Sequence, residues 1–186
     1  MNKIVGMYGT WRAAEGSSLY RLAREMGRIA ARRGFGVLTG SYSGVMEAAP
    51  RGAKEEGGET LGYAWDKLDA ELSPNTFLDR VVTYTRLEER IADLVGDADV
   101  CVFFPGRTGS VAELALATEM RAKGEKAVPL VMVGDFWSSF FAWLTASNDA
   151  LNLPADAPRG SELYVTVETA DDFDQFLGQY EHIWHQ

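Results

Sequence analysis

The stretch from Val100 to Leu116 leaves a chain of this kind few alternatives. Val100 to Phe104 is a short, uncharged run of β-branched and aromatic residues, the composition of a strand buried on both faces. Pro105 to Ser110 is a turn of breakers and small hydroxyls. Val111, Leu114 and Ala115 then recur at helical spacing, with Glu113 among them. A strand that enters a helix through a glycine turn leaves the N–H groups of the first helical turn without internal partners, and the helix dipole adds partial positive charge there. Together these hold a phosphate or another anion. The lysine-bearing pattern G-x-x-x-x-G-K-[ST] is absent, which excludes the nucleotide-triphosphatase loop. Glu113, about one helical turn beyond the anion seat, has two readings. Its carboxylate interacts favourably with the helix N-terminus, or it is a catalytic acid set beside a bound anion that repels it. A purely structural site gains nothing from the second arrangement.

The same unit occurs twice more. Lys3 to Tyr8 reads as a buried strand running into Gly9-Thr-Trp-Arg12. A helix follows, with Ser17 or Ser18 as its cap and an apolar stripe of Leu19, Leu22, Ala23, Met26, Ile29 and Ala30. Arg12, at the C-terminal edge of a first strand, is placed to touch a ligand or to be a solvated loop charge. Phe35 to Thr39 is a second strand. Gly40-Ser-Tyr-Ser-Gly44 is its turn, and Val45 opens a helix in which Pro50 removes a hydrogen bond unless it lies in the first turn. Further strands are expected at 60–64, 80–84, 127–133 and 163–167, with helices around Leu87–Leu94, Phe136–Leu144 and after Thr169. Residues 65–79 show no clear periodicity, and a loop of that length in a compact domain is often functional, for example a lid. Strands alternating with helices predict an α/β fold over 1–186: one Rossmann-like domain with a doubly wound parallel sheet, its ligand at the carboxyl ends of the strands.

Charge and side-chain inventory narrow the chemistry. The net charge of −9 disfavours a nucleic-acid surface and adhesion to an anionic membrane. The arginines at 21, 24, 28, 32 and 33 form a solvated helix face or a partner surface. A single cysteine, Cys101, sits inside an apolar strand, so no disulfide framework exists and a reducing, cytoplasmic setting is expected. The two histidines, His182 and His185, lie at the extreme C-terminus, which gives little support to histidine catalysis or a His/Cys zinc site. No metal and no resident cofactor are expected. The aromatic run Phe136 to Trp143 suits core or a subunit contact better than ligand stacking.

Four stretches resemble the LONELY GUY (LOG) family of phosphoribohydrolases, long labelled lysine decarboxylases. The chain is also similar to that family's relatives, the Rossmann-type nucleotide-binding and molybdenum-cofactor carrier proteins. Tyr8-Gly-Thr-Trp-Arg12 resembles F-G-S-x-R. Thr39-Gly-Ser-Tyr-Ser-Gly-Val-Met-Glu-Ala-Ala49 resembles T-G-G-G-x-G-[IV]-M-E-A-A. Leu87-Glu-Glu-Arg90 falls where the family has M-H-x-R-K, and Pro105-Gly-Arg-Thr-Gly-Ser-Val-Ala-Glu113 resembles P-G-G-x-G-T-x-x-E. The match runs from Lys3 to about Val133.

The resemblance implies hydrolysis of the N-glycosidic bond of a nucleoside 5′-monophosphate, AMP or a cytokinin-like nucleotide, to free base and ribose 5-phosphate. It implies catalytic roles for Arg90 and Glu113. Substrate- or phosphate-binding positions fall at Gly9, Thr10, Arg12, Gly40, Ser41, Gly44, Met46, Glu47, Gly106, Arg107, Thr108, Gly109 and Ser110. A homodimer with the site near its interface is implied as well. Pyridoxal-dependent decarboxylation would need a lysine on a ligand turn, and Lys3, Lys54, Lys67, Lys123 and Lys126 all lie elsewhere. The chain departs from the pattern at Ser41 and Tyr42, at Arg107, and at Glu88 and Ile91 beside Arg90. Where the family's glycines serve positive φ or close backbone approach, larger side chains need other accommodation, and Arg107 can add a phosphate ligand. The alternative reading is a non-catalytic nucleotide- or cofactor-binding protein of the same fold.

Overall fold

A computed structural model describes residues 3–69, 72–125, 128–153 and 163–183, with the side chains of Asp69 and 181–183 left aside. Seven parallel strands form one sheet in the order β4-β3-β2-β1-β5-β6-β7. They are β1 (Ile4–Tyr8), β2 (Gly36–Thr39), β3 (Thr60–Trp65), β4 (Arg80–Tyr84), β5 (Val100–Phe103), β6 (Leu130–Val133) and β7 (Tyr164–Val167). The helices are α1 (Ser18–Arg32), α2 (Val45–Glu55), α3 (Asp66–Asp69), α4 (Leu87–Gly96), α5 (Thr108–Ala122), α6 (Ser138–Ala150) and α7 (Ala170–Ile183).

Alternation along the strands divides the core in two. Val5, Val100 and Val102 face α1, α2 and α7, while Leu38, Cys101 and Phe103 face α4, α5 and α6. This is the doubly wound arrangement that right-handed crossovers give. The chain leaves β1 toward β2 and later returns to lay β5 on the other side of β1. The loops after β1 and β5 therefore diverge to opposite faces and open a crevice between them.

Ser17 caps α1, its Oγ accepting from the Tyr20 N–H at 3.2 Å. Four arginines of the cluster pair with acidic neighbours: Arg24 and Arg28 with Glu55 of α2, Arg32 with Glu25, and Arg33 with Asp174 of α7, while Arg21 donates to the Gly16 carbonyl. Helices α1 and α2 pack backbone to backbone, since a Cβ on Gly27 would fall 2.0 Å from the Ala49 carbonyl oxygen and one on Gly52 1.8 Å from that of Arg24. Pro50 lies inside α2, beyond its first turn. Its missing N–H leaves the Met46 carbonyl without its usual helical donor. That oxygen accepts instead from Thr39 Oγ1 at 3.0 Å and Asn75 Nδ2 at 3.1 Å, which ties the helix start to β2 and to the segment after α3.

Several boundaries differ from the sequence expectation. Strand β6 begins only at Leu130, after Pro129, which has no N–H to give a ladder. Helix α6 starts at Ser138 and continues to Ala150, because Trp137 turns inward as its N-cap and its indole donates to the Phe104 carbonyl at 3.2 Å. Residue 127, most of the expected 148–161 loop (154–161), the His182 side chain and His185 lie outside the described residues. Among the described residues no helix is long and apolar enough to cross a membrane.

Candidate functional site

The crevice at the carboxyl ends of β1 and β5 encloses about 520 Å³. Backbone bonds fix its two sides: the Thr10 N–H donates to the Pro105 carbonyl at 3.0 Å, and the Val45 N–H donates to the Thr10 carbonyl at 3.1 Å. The turns after β1, β2 and β5 are thus held to one another before any ligand arrives.

Helix α5 opens onto this space with Arg107 as its N-cap, and no side chain caps it. There is no acidic residue in its first turn. The N–H groups of Thr108, Gly109 and Ser110 are accordingly available to an anion. A Cβ on Gly109 would meet nothing within 4 Å, so the helix start is open there. At α2, by contrast, Thr10 already occupies the first N–H.

Glu113 stands five residues after Thr108, beyond the first turn in which a carboxylate gains most from the helix dipole. Helical side chains lean toward the helix N-terminus, and Glu113 lines the crevice with only 8% of its surface exposed. Burial pushes its carboxyl up to about 7, with the Arg90 charge acting in the opposite direction. The neighbouring Tyr8 hydroxyl donates to the Leu94 carbonyl at 2.6 Å. Its pKa is raised well above the ordinary value, first by burial and then by Cys101 and Glu113.

Arg90 enters from α4 with 7% exposure. Its Nε donates to the Tyr63 carbonyl at 2.7 Å and its Nη2 to the Gly40 carbonyl at 3.1 Å. A Cβ on Gly40 would lie 2.5 Å from that Nη2 and 2.7 Å from Met46 Sδ, so the turn after β2 needs glycine for the arginine to reach it.

Ser41 adopts φ = 80°, the left-handed region that favours glycine, and its hydroxyl is buried without a hydrogen-bond partner among the described residues. Tyr42 is buried and lines the crevice. Its hydroxyl accepts from the Trp65 N–H at 2.9 Å and donates to the Trp65 carbonyl at 3.1 Å. Asn75 Nδ2 adds bonds to the Ser41 and Tyr42 carbonyls at 2.8 and 3.0 Å. The segment 65–79 is thereby pinned on the Gly40–Gly44 turn, and its Leu68 and Leu72 form a wall of the crevice.

Of the expected positions, Gly9, Thr10, Gly40, Met46, Arg90, Arg107, Thr108, Gly109, Ser110 and Glu113 line this one space. Gly44 and Gly106 belong to the same turns without lining it, and Ser41 is fully buried and does not line it. Arg12 is exposed, its guanidinium over the Trp11 ring. Glu47 accepts from Tyr20 Oη at 2.7 Å, beside Arg51, and does not line the crevice. The residue-level reading missed Tyr8, Trp11, Tyr42, Leu68 and Leu72 as lining residues. The aperiodic, apolar-spotted 65–79 stretch was the available signal for the last two.

A second hollow, of about 670 Å³, lies at the amino ends of β1 to β4, near Ile4, Gly36, Thr60 and Arg80. Its Lys54 and Asp79 pair with each other at 2.7 Å. Among the described residues no group of three or more His, Cys, Asp or Glu could hold a metal ion.

Known proteins share this architecture. An uncharacterized protein of Archaeoglobus fulgidus is 27% identical over 129 residues, 69% of this chain and 82% of that protein. The molybdenum cofactor carrier protein of Chlamydomonas reinhardtii superposes with a TM-score of 0.72 at 26% identity, covering 96% of this chain and 98% of that one. The molybdenum cofactor binding protein of Rippkaea orientalis gives 0.72 at 21% identity, over 97% and 98%. The LDcluster4 family model matches residues 2–136, which carry all three glycine turns, Arg90 and Glu113, and the chain belongs to this SLOG cluster4 family.

Proposed function

We propose that the crevice binds a nucleoside 5′-monophosphate and hydrolyses its N-glycosidic bond, the reaction implied by the resemblance to the LOG enzymes. The observation that carries this reading is the enclosed Glu113 carboxyl, held near pKa 7, opening on the same space as the uncapped start of α5. The phosphate sits on the N–H groups of Thr108 to Ser110, with Arg107 at the rim. Water attacks the anomeric carbon, the C–N bond breaks with its electron pair passing to the base, and the proton that Glu113 takes from water ends on the departing base nitrogen, which leaves as the neutral base. Cleavage builds positive charge on the ribose, which an ionised Glu113 also stabilises. Arg90 acts on Glu113 by favouring its charged form. The homodimer that the resemblance implies belongs to this proposal, and sedimentation velocity tests it.

Chromatography of the wild type incubated with AMP is expected to reveal adenine. Glu113→Gln is expected to lose most turnover while still binding ribose 5-phosphate. Equal release of adenine by both proteins sinks the role of Glu113.

A second reading is favoured by the bonds of Arg90 to two backbone carbonyls, which give it a structural task, and by the molybdenum cofactor carrier among the fold's relatives. In that reading the crevice carries a nucleotide or cofactor without chemistry. The donor set fits a grip on anionic and ring parts, not ligation of a metal by the described residues. Thermal stabilisation by AMP with no release of adenine would favour it.

A further inference from the structure

We infer that Trp11 is the platform on which the ligand's planar heteroaromatic ring stacks, which makes it the residue that distinguishes a nucleotide from a bare sugar phosphate. The inference rests on the reading of the α5 start as the phosphate seat. The crevice lining is chemically mixed. The start of α5 contributes its uncapped N–H groups, with Arg107 and Glu113, and Trp11, Tyr42, Met46, Leu68 and Leu72 contribute apolar and aromatic surface. Trp11 keeps 46% of its surface exposed, although it is a large indole on a cavity wall.

The loop that carries Trp11 is built rather than loose. The Trp11 carbonyl accepts from Ser43 Oγ at 3.0 Å, and the Arg12 N–H donates to Thr10 Oγ1 at 3.1 Å. The Arg12 guanidinium lies 4.9 Å from the Trp11 ring centroid, a cation–π contact that holds the ring's orientation. The Thr10–Pro105 backbone bond fixes this loop to the turn before α5, so the separation of platform and anion seat is set by the fold. Tyr42 cannot serve in its place, because it is 3% exposed and its hydroxyl is engaged with the Trp65 backbone. An isolated exposed tryptophan needs no explanation; one that lines a crevice on an anchored loop gains buried apolar area when a ring covers it.

Calorimetric titration of the full chain carrying Glu113→Gln, which keeps AMP from being consumed, with AMP and with ribose 5-phosphate tests this. This parent is expected to bind AMP more tightly. Adding Trp11→Ala is expected to weaken AMP binding by about 10-fold, within the range of base–aromatic stacking, and to leave ribose 5-phosphate binding unchanged, which also shows that the variant folds. Trp11→Phe is expected to restore most of the difference. Equal binding of the two ligands by the parent, or AMP binding insensitive to Trp11→Ala, overturns the platform while leaving the hydrolase reading to the adenine assay on wild type. Failure of the parent to bind either ligand overturns both.

Discussion

Arg90 Nη2 donates to the Gly40 carbonyl at 3.1 Å, and that contact exists only because residue 40 has no Cβ. An added methyl would fall 2.5 Å from the same nitrogen. The obstructing atoms are the far ends of the Arg90 and Met46 side chains, so the backbone need not break. The guanidinium must nevertheless give up a buried, charge-assisted bond. Gly40→Ala is expected to cost about 1–2 kcal/mol in denaturant unfolding. Because the Arg90 charge holds the Glu113 carboxyl down against burial, its displacement is also expected to move the pH profile of the variant upward. A neutral effect on both stability and pH profile would show that Arg90 has an equally good second position.

The Glu113 carboxyl is raised from 4.5 to about 7 by burial. A group whose folded pKa lies above its unfolded one binds more protons when folded, so stability is greatest below the unfolded pKa and falls as pH rises through the folded one. The window is therefore about pH 4.5 to 7, and the full cost of ionising the buried acid is on the order of 3 kcal/mol. Glu113→Gln removes this titration. The variant is expected to gain stability over wild type as pH rises from 5 to 8, measured as a difference in urea midpoints, with the gap closing toward pH 5. The proposed hydrolysis uses the ionised form, so turnover is expected to rise with pH over the same range in which stability falls. A pH-independent difference between the two proteins would place Glu113 in a wetter setting.

Ser41 occupies φ = 80° with a buried hydroxyl that has no partner among the described residues. Such strain costs of order 1–3 kcal/mol, against which the extra unfolded-state freedom of glycine offsets up to about 1 kcal/mol. Ser41→Gly is expected to stabilise the protein by about 1 kcal/mol, a rise of roughly 2–4 °C in Tm. A fall in Tm on calorimetric scanning would mean that the hydroxyl has a use the free protein does not reveal.

The sheet and its direction were legible because β1, β2 and β5 are short apolar runs that enter a helix through a glycine turn, and local composition alone marks such units. Arg90 was a different case. Arg86, Glu88, Glu89 and Arg90 read alike in the sequence, and only the pairing of Arg90 with Leu94 on the inward face of α4 separates it from its exposed neighbours. Periodicity could not show a buried charge; the motif resemblance pointed to it. The placement of 65–79 was invisible for another reason. That segment is held by polar bonds from Tyr42 and Asn75 to backbone atoms, which leave no hydrophobic period behind. Glu47 shows the converse, since a residue in a matching motif is engaged by Tyr20, a partner that no local pattern names.

Tyr42 stands where the resembling motif has glycine, and its hydroxyl makes two bonds to the Trp65 backbone. Removing that hydroxyl leaves a half-buried N–H and a carbonyl at the end of β3 without the partner they share. Tyr42→Phe is therefore expected to cost about 1–2 kcal/mol. The loss should be local, because Asn75 still holds the far side of the segment. Hydrogen exchange is expected to quicken at Trp65 and around Leu68 and Leu72 while the β1 and β5 amides stay protected. Since those leucines wall the crevice, the KM for AMP is expected to rise more than kcat falls. Unchanged exchange at Trp65 would show that the Tyr42 hydroxyl is not what holds the wall in place.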